Sequence, residues 1–136
     1  MAETQSTLII LKPDAVKRKL VGEIIRRFEN KGLTLAAMKL DTISRDLAET
    51  HYGEHKGKPF YEDLVGFITG GPVVVMKLEG PEAIKVARGM MGATKFFEAA
   101  PGTIRGDYAH DLTANLVHGS DSPESAAREV KLFFGE

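Results

Sequence analysis

One histidine in the sequence occupies a position where its side chain could act as a nucleophile. The segment Asn115–Ser122 reads Asn-Leu-Val-His-Gly-Ser-Asp-Ser, so His118 ends a short apolar run and precedes a glycine. A histidine at the end of a strand can project into a cleft, and Gly119 lets a ligand or another backbone come close. Neutral imidazole can attack near pH 7, because the ordinary pKa of the group is about 6.5. His118 is therefore a candidate nucleophile, although a single histidine is more often structural.

A nucleophilic imidazole needs an acceptor on its second nitrogen, and Glu129 could supply it. In the last predicted helix, Glu129 lies about 60° from the centre of an apolar stripe (Ala126, Val130 and Phe133), at ~100° per residue. A carboxylate at the margin of a buried face needs a partner. That partner is either the candidate nucleophile or a neighbouring basic residue such as Arg128, and spacing does not decide between them.

Side chains that could hold phosphate groups are spread through the sequence. Lys12 closes the first apolar run, Arg88 stands late in a predicted helix, and Thr94 lies in the loop that follows. Arg105 lies in the glycine-containing segment Pro101–Asp107, and an arginine can fork onto two phosphate oxygens. Taken singly, each of these residues is more often a solvated side chain, and the glycine-flanked Arg105 is a stronger signal than the helical Arg88.

Several familiar motifs are missing, and one is misleading. Neither G-x-x-x-x-G-K-[ST] nor G-x-G-x-x-G occurs, so neither glycine-rich phosphate cradle is present. His51–His55 matches H-x-x-E-H, the inverted zinc-protease pattern. Gly53 weakens the helix that this pattern requires, and three fixed positions are easily matched by chance. A zinc hydrolase is the weakest of the alternatives.

Composition excludes other classes of protein. The chain has 136 residues, with 18 basic and 19 acidic residues that nearly cancel. This length fits a single domain over residues 1–136, and the balance disfavours a nucleic-acid-binding protein. The absence of cysteine excludes disulfides and thiolate metal sites. The polar segment 1–6 does not resemble a signal peptide, and no apolar stretch approaches the ~20 residues of a membrane span. A cytoplasmic protein is expected.

The apolar periodicity predicts the order β-α-β-α-α-β-α-loop-β-α. The predicted strands are Thr7–Leu11, Leu33–Leu40, Val73–Leu78 and Leu116–Val117. The predicted helices begin at Pro13 (ending before Gly32), Arg45 (to Glu54), Phe60 (to Ile68), Pro81 and Ser122. An irregular loop is expected from Gly92 to Leu112. This order suits an α/β (α+β) fold of the ferredoxin-like βαββαβ type, with a four-stranded antiparallel sheet covered by helices.

Six blocks of the sequence, in order along the chain, resemble the nucleoside diphosphate kinase family. They are Leu11–Asp14, Gly22–Ile25, Gly71–Val74, Gly92–Thr94, Pro101–Asp107 and Asn115–Ser122. The last block contains the active-site signature of that family, Asn-x-x-His-Gly-Ser-Asp. The resemblance covers nearly the whole chain and is much more specific than any single motif.

The resemblance implies a ping-pong reaction. A nucleoside triphosphate gives its γ-phosphate to His118, and a second nucleoside diphosphate then takes the phosphate away. Glu129 would orient the imidazole, with Tyr52 and Ser120 close to the phosphohistidine. Mg²⁺ is expected as a cofactor that the nucleotide phosphates carry, without a protein metal site of its own.

The resemblance also implies how nucleoside di- and triphosphates bind. Polar residues would hold the sugar and the phosphates: Lys12, Arg88, Thr94, Arg105 and Asn115. The apolar side chains of Phe60 and Leu112 would stack against the base. Every base has an aromatic face, so broad base and sugar specificity is expected.

The sequence departs from the family at Lys95-Phe96-Phe97, where Asn-Pro is common after the threonine. That loop contributes to subunit contacts in the family, so the geometry of the expected homo-oligomer, a tetramer or a hexamer, stays open. The main alternative is a ferredoxin-like binding module that has lost the chemistry, since fold does not prove function.

Overall fold

The computed structural model describes residues 4–135, which form a four-stranded antiparallel sheet in the order β2-β3-β1-β4. The strands are β1 (Thr4–Leu11), β2 (Thr34–Asp41), β3 (Val73–Pro81) and β4 (Val117–Gly119). Each neighbouring pair is antiparallel. The predicted α+β, ferredoxin-like fold is confirmed.

Seven helices cover the sheet within the described residues. They are α1 (Pro13–Lys17), α2 (Val21–Lys31), α3 (Arg45–His51), α4 (Tyr61–Ile68), α5 (Ala83–Met91), α6 (Ile104–Tyr108) and α7 (Pro123–Phe134). None of them, within residues 4–135, has both the length and the apolar character needed to cross a membrane.

The core has two layers, one on each face of the sheet, because side chains alternate along a strand. Ile9 and Leu11 of β1 pack on one face, with Phe28 of α2. Leu8 and Ile10 pack on the other face, where α4 and α7 lie. The second half of β1 is therefore buried on both sides, which explains the continuous apolar run Leu8–Leu11. The end of this rigid central strand leads directly to Lys12.

Two predicted helix boundaries are wrong at the start of the chain and after β3. The single helix predicted from Pro13 is two helices, α1 and α2, separated by a turn in which Lys19 has φ 62°. Pro81 does not begin a helix; it is the last residue of β3, and Glu82 (φ 54°) precedes α5. Proline is tolerated both at a strand end and in a first helical turn, so its presence did not distinguish them.

Three further boundaries also differ from prediction. Helix α3 ends at His51 rather than Glu54, and a 3₁₀ turn follows at Gly53–His55. The segment predicted as an irregular loop contains the short helix α6, which begins after the N-cap Thr103. The last strand is Val117–Gly119 rather than Leu116–Val117, because Leu116 has a left-handed backbone with φ 77°.

The backbone of Ala100 packs so closely against Gly106 that a side chain has no room there. A Cβ placed there would lie 1.9 Å from the carbonyl oxygen of Ala100, a backbone atom that cannot turn away. We expect Gly106→Ala to destabilise the protein by about 1–3 kcal/mol, as overpacking typically does. Gly89→Ala is the matched control, because a Cβ at Gly89 meets nothing within 4 Å. Thermal unfolding at equal protein concentration checks both; equal midpoints would contradict the contact.

Candidate active site

The pairing of β4 with β1 fixes the position of His118. His118 is the register partner of Ile10, and the backbone N–H of Lys12 donates to the carbonyl of Leu116 at 2.8 Å. The Asp14 carboxylate accepts from the N–H of Leu116 at 3.0 Å, which holds the left-handed residue before the strand. The neighbours of His118 in β4 are buried, whereas His118 itself is partly exposed. Its side chain therefore leaves the core at a rigid position.

A buried carboxylate supports the imidazole of His118. Glu129 is 4% exposed, and its Oε1 lies 3.1 Å from Nε2 of His118. The same oxygen accepts from Oγ of Ser120 at 2.7 Å, and that Oγ in turn accepts from the N–H of Leu8 at 3.2 Å. The sequence left His118 and Arg128 open as partners of Glu129, and the structure shows contacts with both. Nη2 of Arg128 lies 3.5 Å from Oε2 of Glu129.

The protonation state of Glu129 determines which imidazole nitrogen carries the hydrogen. Burial acts to raise the pKa of Glu129, but the hydrogen bond and charge of His118 and the hydrogen bond from Ser120 lower it to about 2. An ionised carboxylate only accepts hydrogen bonds, so Nε2 of His118 donates. In the neutral ring Nδ1 then keeps its lone pair, which is the requirement for a nucleophile.

A cavity of about 420 Å³ opens beside His118. Every predicted site residue except Ser120 lines it: Lys12, Tyr52, Phe60, Arg88, Thr94, Arg105, Leu112, Asn115, His118 and Glu129. These side chains come from α5, α6, β4, α7 and the connecting loops, far apart in sequence. Ser120 is fully buried and reaches the site only through Glu129.

Two arginine side chains in the cavity are held by neutral backbone oxygens. Arg105 donates to the carbonyls of Gly92 at 3.0 Å and Val117 at 2.7 Å. Arg88 donates to the carbonyl of Gly119 at 3.1 Å. These bonds fix both guanidinium groups without neutralising their charge. The arrangement therefore suits an anionic ligand with several oxygens.

Burial and repulsion between like charges lower the pKa values of two cations in the cavity, Lys12 and Arg105. Lys12 donates to Oδ1 of Asn115 at 2.9 Å. Burial lowers the pKa of Lys12 to about 8, with a further contribution from the charge of Arg105, while Asp14 opposes the shift. Burial also lowers the pKa of Arg105 to about 10, helped by Arg88. A bound anion would offset the repulsion between these buried like charges.

The cavity also has apolar walls at its exposed side. Phe60 and Leu112 line it although they are 44% and 56% exposed. Large apolar side chains in such positions commonly mark a ligand-binding groove. Tyr52, in contrast, is buried beside the site, and burial together with the charge of Glu129 raises its pKa to about 12.

One residue near His118 was missed as a site residue. His51 is buried, and its ring packs edge-on against that of His118 with centroids 4.7 Å apart. Burial lowers the pKa of His51 to about 3, with a contribution from His118. The sequence singled out His51 only within the H-x-x-E-H pattern. In the structure, α3 ends at His51, so His51 and His55 do not share one regular helix.

Oxygen ligands suited to Mg²⁺ lie at the cavity wall. The carboxylates of Glu54 and Asp121 line the cavity. Mg²⁺ commonly takes one or two carboxylates together with substrate phosphates and water. These side chains fit an ion that arrives with a phosphate ligand.

Comparison with known proteins agrees with this chemistry. The sequence model described as nucleoside diphosphate kinase matches residues 5–136. The nucleoside diphosphate kinase of Carboxydothermus hydrogenoformans is 64% identical over 97% of this chain and 89% of its own length. That of Rubrobacter xylanophilus is 60% identical over 96% of this chain and 98% of its own.

Solved structures are similar as well. A halophilic nucleoside diphosphate kinase from Halobacterium salinarum, in complex with CDP, has a TM-score of 0.96 at 48% identity, covering 98% of this chain and 90% of its own. The enzyme from Encephalitozoon cuniculi has a TM-score of 0.95 at 42% identity, covering 97% and 90%. This chain belongs to the nucleoside diphosphate kinase family, whose members are transferases that move phosphate between nucleotides.

Proposed function

We propose that the protein transfers the γ-phosphate of a nucleoside triphosphate to a nucleoside diphosphate by a ping-pong mechanism through phosphohistidine at His118. The observation that carries the proposal is the 3.1 Å contact between Nε2 of His118 and Glu129, at the wall of a cavity with three cations. Because Nε2 faces Glu129, Nδ1 is the atom left to act as the nucleophile. Broad base and sugar specificity and a need for Mg²⁺ are part of the proposal.

In the first half-reaction, the lone pair of Nδ1 attacks the γ-phosphorus. The N–P bond forms while the bond from phosphorus to the bridging oxygen breaks, and the electron pair stays on the leaving diphosphate. Positive charge grows on the imidazole, and the Glu129 carboxylate stabilises it through the Nε2–H hydrogen bond. In the second half-reaction, a terminal oxygen of another diphosphate attacks the same phosphorus and Nδ1 leaves.

The other cavity residues position the nucleotide. Arg88, Thr94 and Arg105 would bind the phosphates, and Mg²⁺ would neutralise further phosphate charge when bound with the nucleotide. Lys12 and Asn115, already joined by a hydrogen bond, would hold the sugar 3′-hydroxyl and the adjacent phosphate.

The remaining residues complete the site. Phe60 and Leu112 would sandwich the base, while Tyr52 and Ser120 would support the phosphohistidine. Stacking needs no particular pattern of base donors and acceptors, which supports breadth of substrate. By similarity to the family, we also propose a homo-oligomer and a cytoplasmic location.

Initial-rate kinetics tests the proposal. ATP is varied at several fixed concentrations of dTDP, GDP or CDP, with Mg²⁺ in excess. A phosphorylated enzyme intermediate predicts parallel double-reciprocal lines for each acceptor, with rates of the same order. Intersecting lines would show a ternary complex and refute the ping-pong route. No transfer by folded protein would favour the binding-module alternative.

The low pKa of Lys12 predicts how nucleotide binding depends on pH. Below about pH 8 the free protein carries a charged Lys12, and above it the charge is lost. Affinity for CDP should fall roughly tenfold as pH rises from 7 to 9.5, the loss of about one charge-assisted hydrogen bond. Near pH 8, binding should take up protons, because a bound phosphate raises the pKa of Lys12.

Titration calorimetry in buffers of different ionisation enthalpy measures both quantities. Lys12→Arg is the matched variant, because an arginine stays charged across this range and should flatten the pH profile. The same decline in Lys12→Arg as in the unchanged protein would contradict the assignment to Lys12.

A further inference from the structure

His51 has a buried side chain without a hydrogen-bond partner. The side chain is 2% exposed, and neither ring nitrogen has a hydrogen-bond partner in the described structure. The nearest carboxylate oxygen, Oε2 of Glu129, lies 3.8 Å from Nδ1, which is too far for a hydrogen bond. A buried polar group left without a partner has a desolvation cost that no hydrogen bond offsets. The proposed phosphate transfer gives His51 no task that explains this cost.

The unpaired ring belongs to a cluster with the composition of a metal site. His51, His118 and Glu129 each offer one ligand atom, and these atoms lie within 4.8 Å of one another. Zinc sites in proteins often combine two imidazoles with one carboxylate and keep a fourth position open. Mg²⁺ prefers oxygen ligands in octahedral geometry, so this cluster does not suit it.

The ligand atoms lie within 4.8 Å of one another, so a bound ion would draw the most distant pair closer together. With metal–ligand bonds of about 2.0–2.1 Å, neighbouring ligand atoms of a tetrahedral site are about 3.3 Å apart. Nε2 of His118 lies 3.1 Å from Oε1 of Glu129, and Nδ1 of His51 lies 3.8 Å from Oε2.

We propose that His51, His118 and Glu129 form an inhibitory binding site for a divalent transition-metal ion of the Zn²⁺ class. The inhibitory part rests on the proposed function; the binding part does not. An ion bound to Nε2 of His118 replaces the hydrogen of the Nε2–H···Glu129 bond. For the imidazole to bind as a neutral ligand, that proton moves through solvent to Nδ1. The lone pair that would attack phosphorus is then occupied, so metal binding and phosphorylation exclude each other.

Charges around the cluster limit its affinity for a metal ion. Lys12 and Arg128 both act on His51 electrostatically and oppose a second cation in the cluster, whereas the Glu129 carboxylate favours one. We therefore expect a reversible site that responds to added Zn²⁺ rather than a permanently occupied structural one.

Direct binding is the primary test. Nucleotide-free protein is titrated with Zn²⁺ by calorimetry in a non-coordinating buffer, and Co²⁺ serves as the spectroscopic probe of geometry. We expect one site per chain, an intense tetrahedral Co²⁺ absorption that Zn²⁺ displaces, and at least a tenfold loss of affinity in His51→Ala. His110→Ala is the control, because His110 is exposed and contacts Phe96 outside the cavity.

Inhibition is measured separately, so that failure of the proposed function stays distinguishable from failure of the site. Zn²⁺ should inhibit ATP-to-dTDP transfer at saturating Mg²⁺, and His51→Ala should need at least tenfold more Zn²⁺ for the same fractional inhibition. Circular dichroism checks the fold of His51→Ala, and His51→Gln is the second variant. No Zn²⁺ binding, unchanged binding in a folded His51 variant, or a weak octahedral Co²⁺ spectrum would each overturn the proposal.

Discussion

Replacing His118 with alanine should reduce phosphate transfer between nucleotides by roughly 10⁴-fold or more, since the variant lacks the group that forms the covalent intermediate. Nδ1 of His118 is the protein atom that the proposed mechanism uses as a nucleophile. The cations of the cavity would remain, because Lys12 and Arg105 are held by bonds that do not involve the imidazole. Binding of a nucleoside diphosphate should therefore change much less than the rate of transfer.

Coupled assays with ATP and dTDP measure the rate, and calorimetry with CDP measures the binding. His110→Ala is the matched control, an exposed histidine changed in the same way, and should behave like the unchanged protein. A His118→Ala protein that keeps more than a small fraction of the rate would mean that phosphate reaches the acceptor by another route.

Replacing Glu129 with glutamine should lower kcat by roughly 10²–10³-fold and leave KM nearly unchanged. Glutamine has almost the same size and can still accept from Ser120. It removes the negative charge that faces Nε2 of His118 when positive charge develops on the ring. In the flipped orientation the amide nitrogen takes the place of Oε1 and donates to Nε2 instead, which would select the tautomer with hydrogen on Nδ1.

Glu124→Gln provides the control on the same helix, because Glu124 is exposed in the first turn of α7. It should change kcat by less than about twofold, as surface substitutions usually do little. A large rise in KM for Glu129→Gln with kcat preserved would assign Glu129 to nucleotide binding instead of to His118.

Strong local signals in the sequence predicted the fold. The apolar run at Thr7–Leu11 predicted a strand, and β1 is an internal strand that pairs with two neighbours. The Ser122-Pro123 start of the last helix was also recognisable, and Ser122 accepts from the N–H of Ser125 in the structure. These features depend on residues close together in the chain.

The errors lie where a local pattern has two structural solutions. Ile104–Tyr108 is too short to show helical periodicity, so α6 was missed within the predicted loop. Pro81 fits the end of a strand as well as the start of a helix. The left-handed conformation of Leu116 is stabilised by Asp14, a contact across the sheet that spacing along the chain does not reveal.

The active-site residues were also predictable only where a signal lay in the local sequence. The position of Glu129 at the edge of an apolar stripe predicted that it needs a partner, and the structure places it against His118 and Ser120. His51 carried no comparable signal, because its contact with His118 joins α3 to β4 through tertiary packing. The only local pattern that included it, H-x-x-E-H, paired it with His55, which is not part of the cluster around Glu129.

The most direct test of the central claim is isolation of the phosphorylated protein. The protein is mixed with γ-labelled ATP and Mg²⁺ without an acceptor, beside His118→Ala, and the label retained on protein is counted. We predict a label on the unchanged protein alone that is stable in base, lost in acid, and discharged by GDP, CDP and dTDP. Folded protein without label, or label that persists in His118→Ala, would contradict transfer through His118.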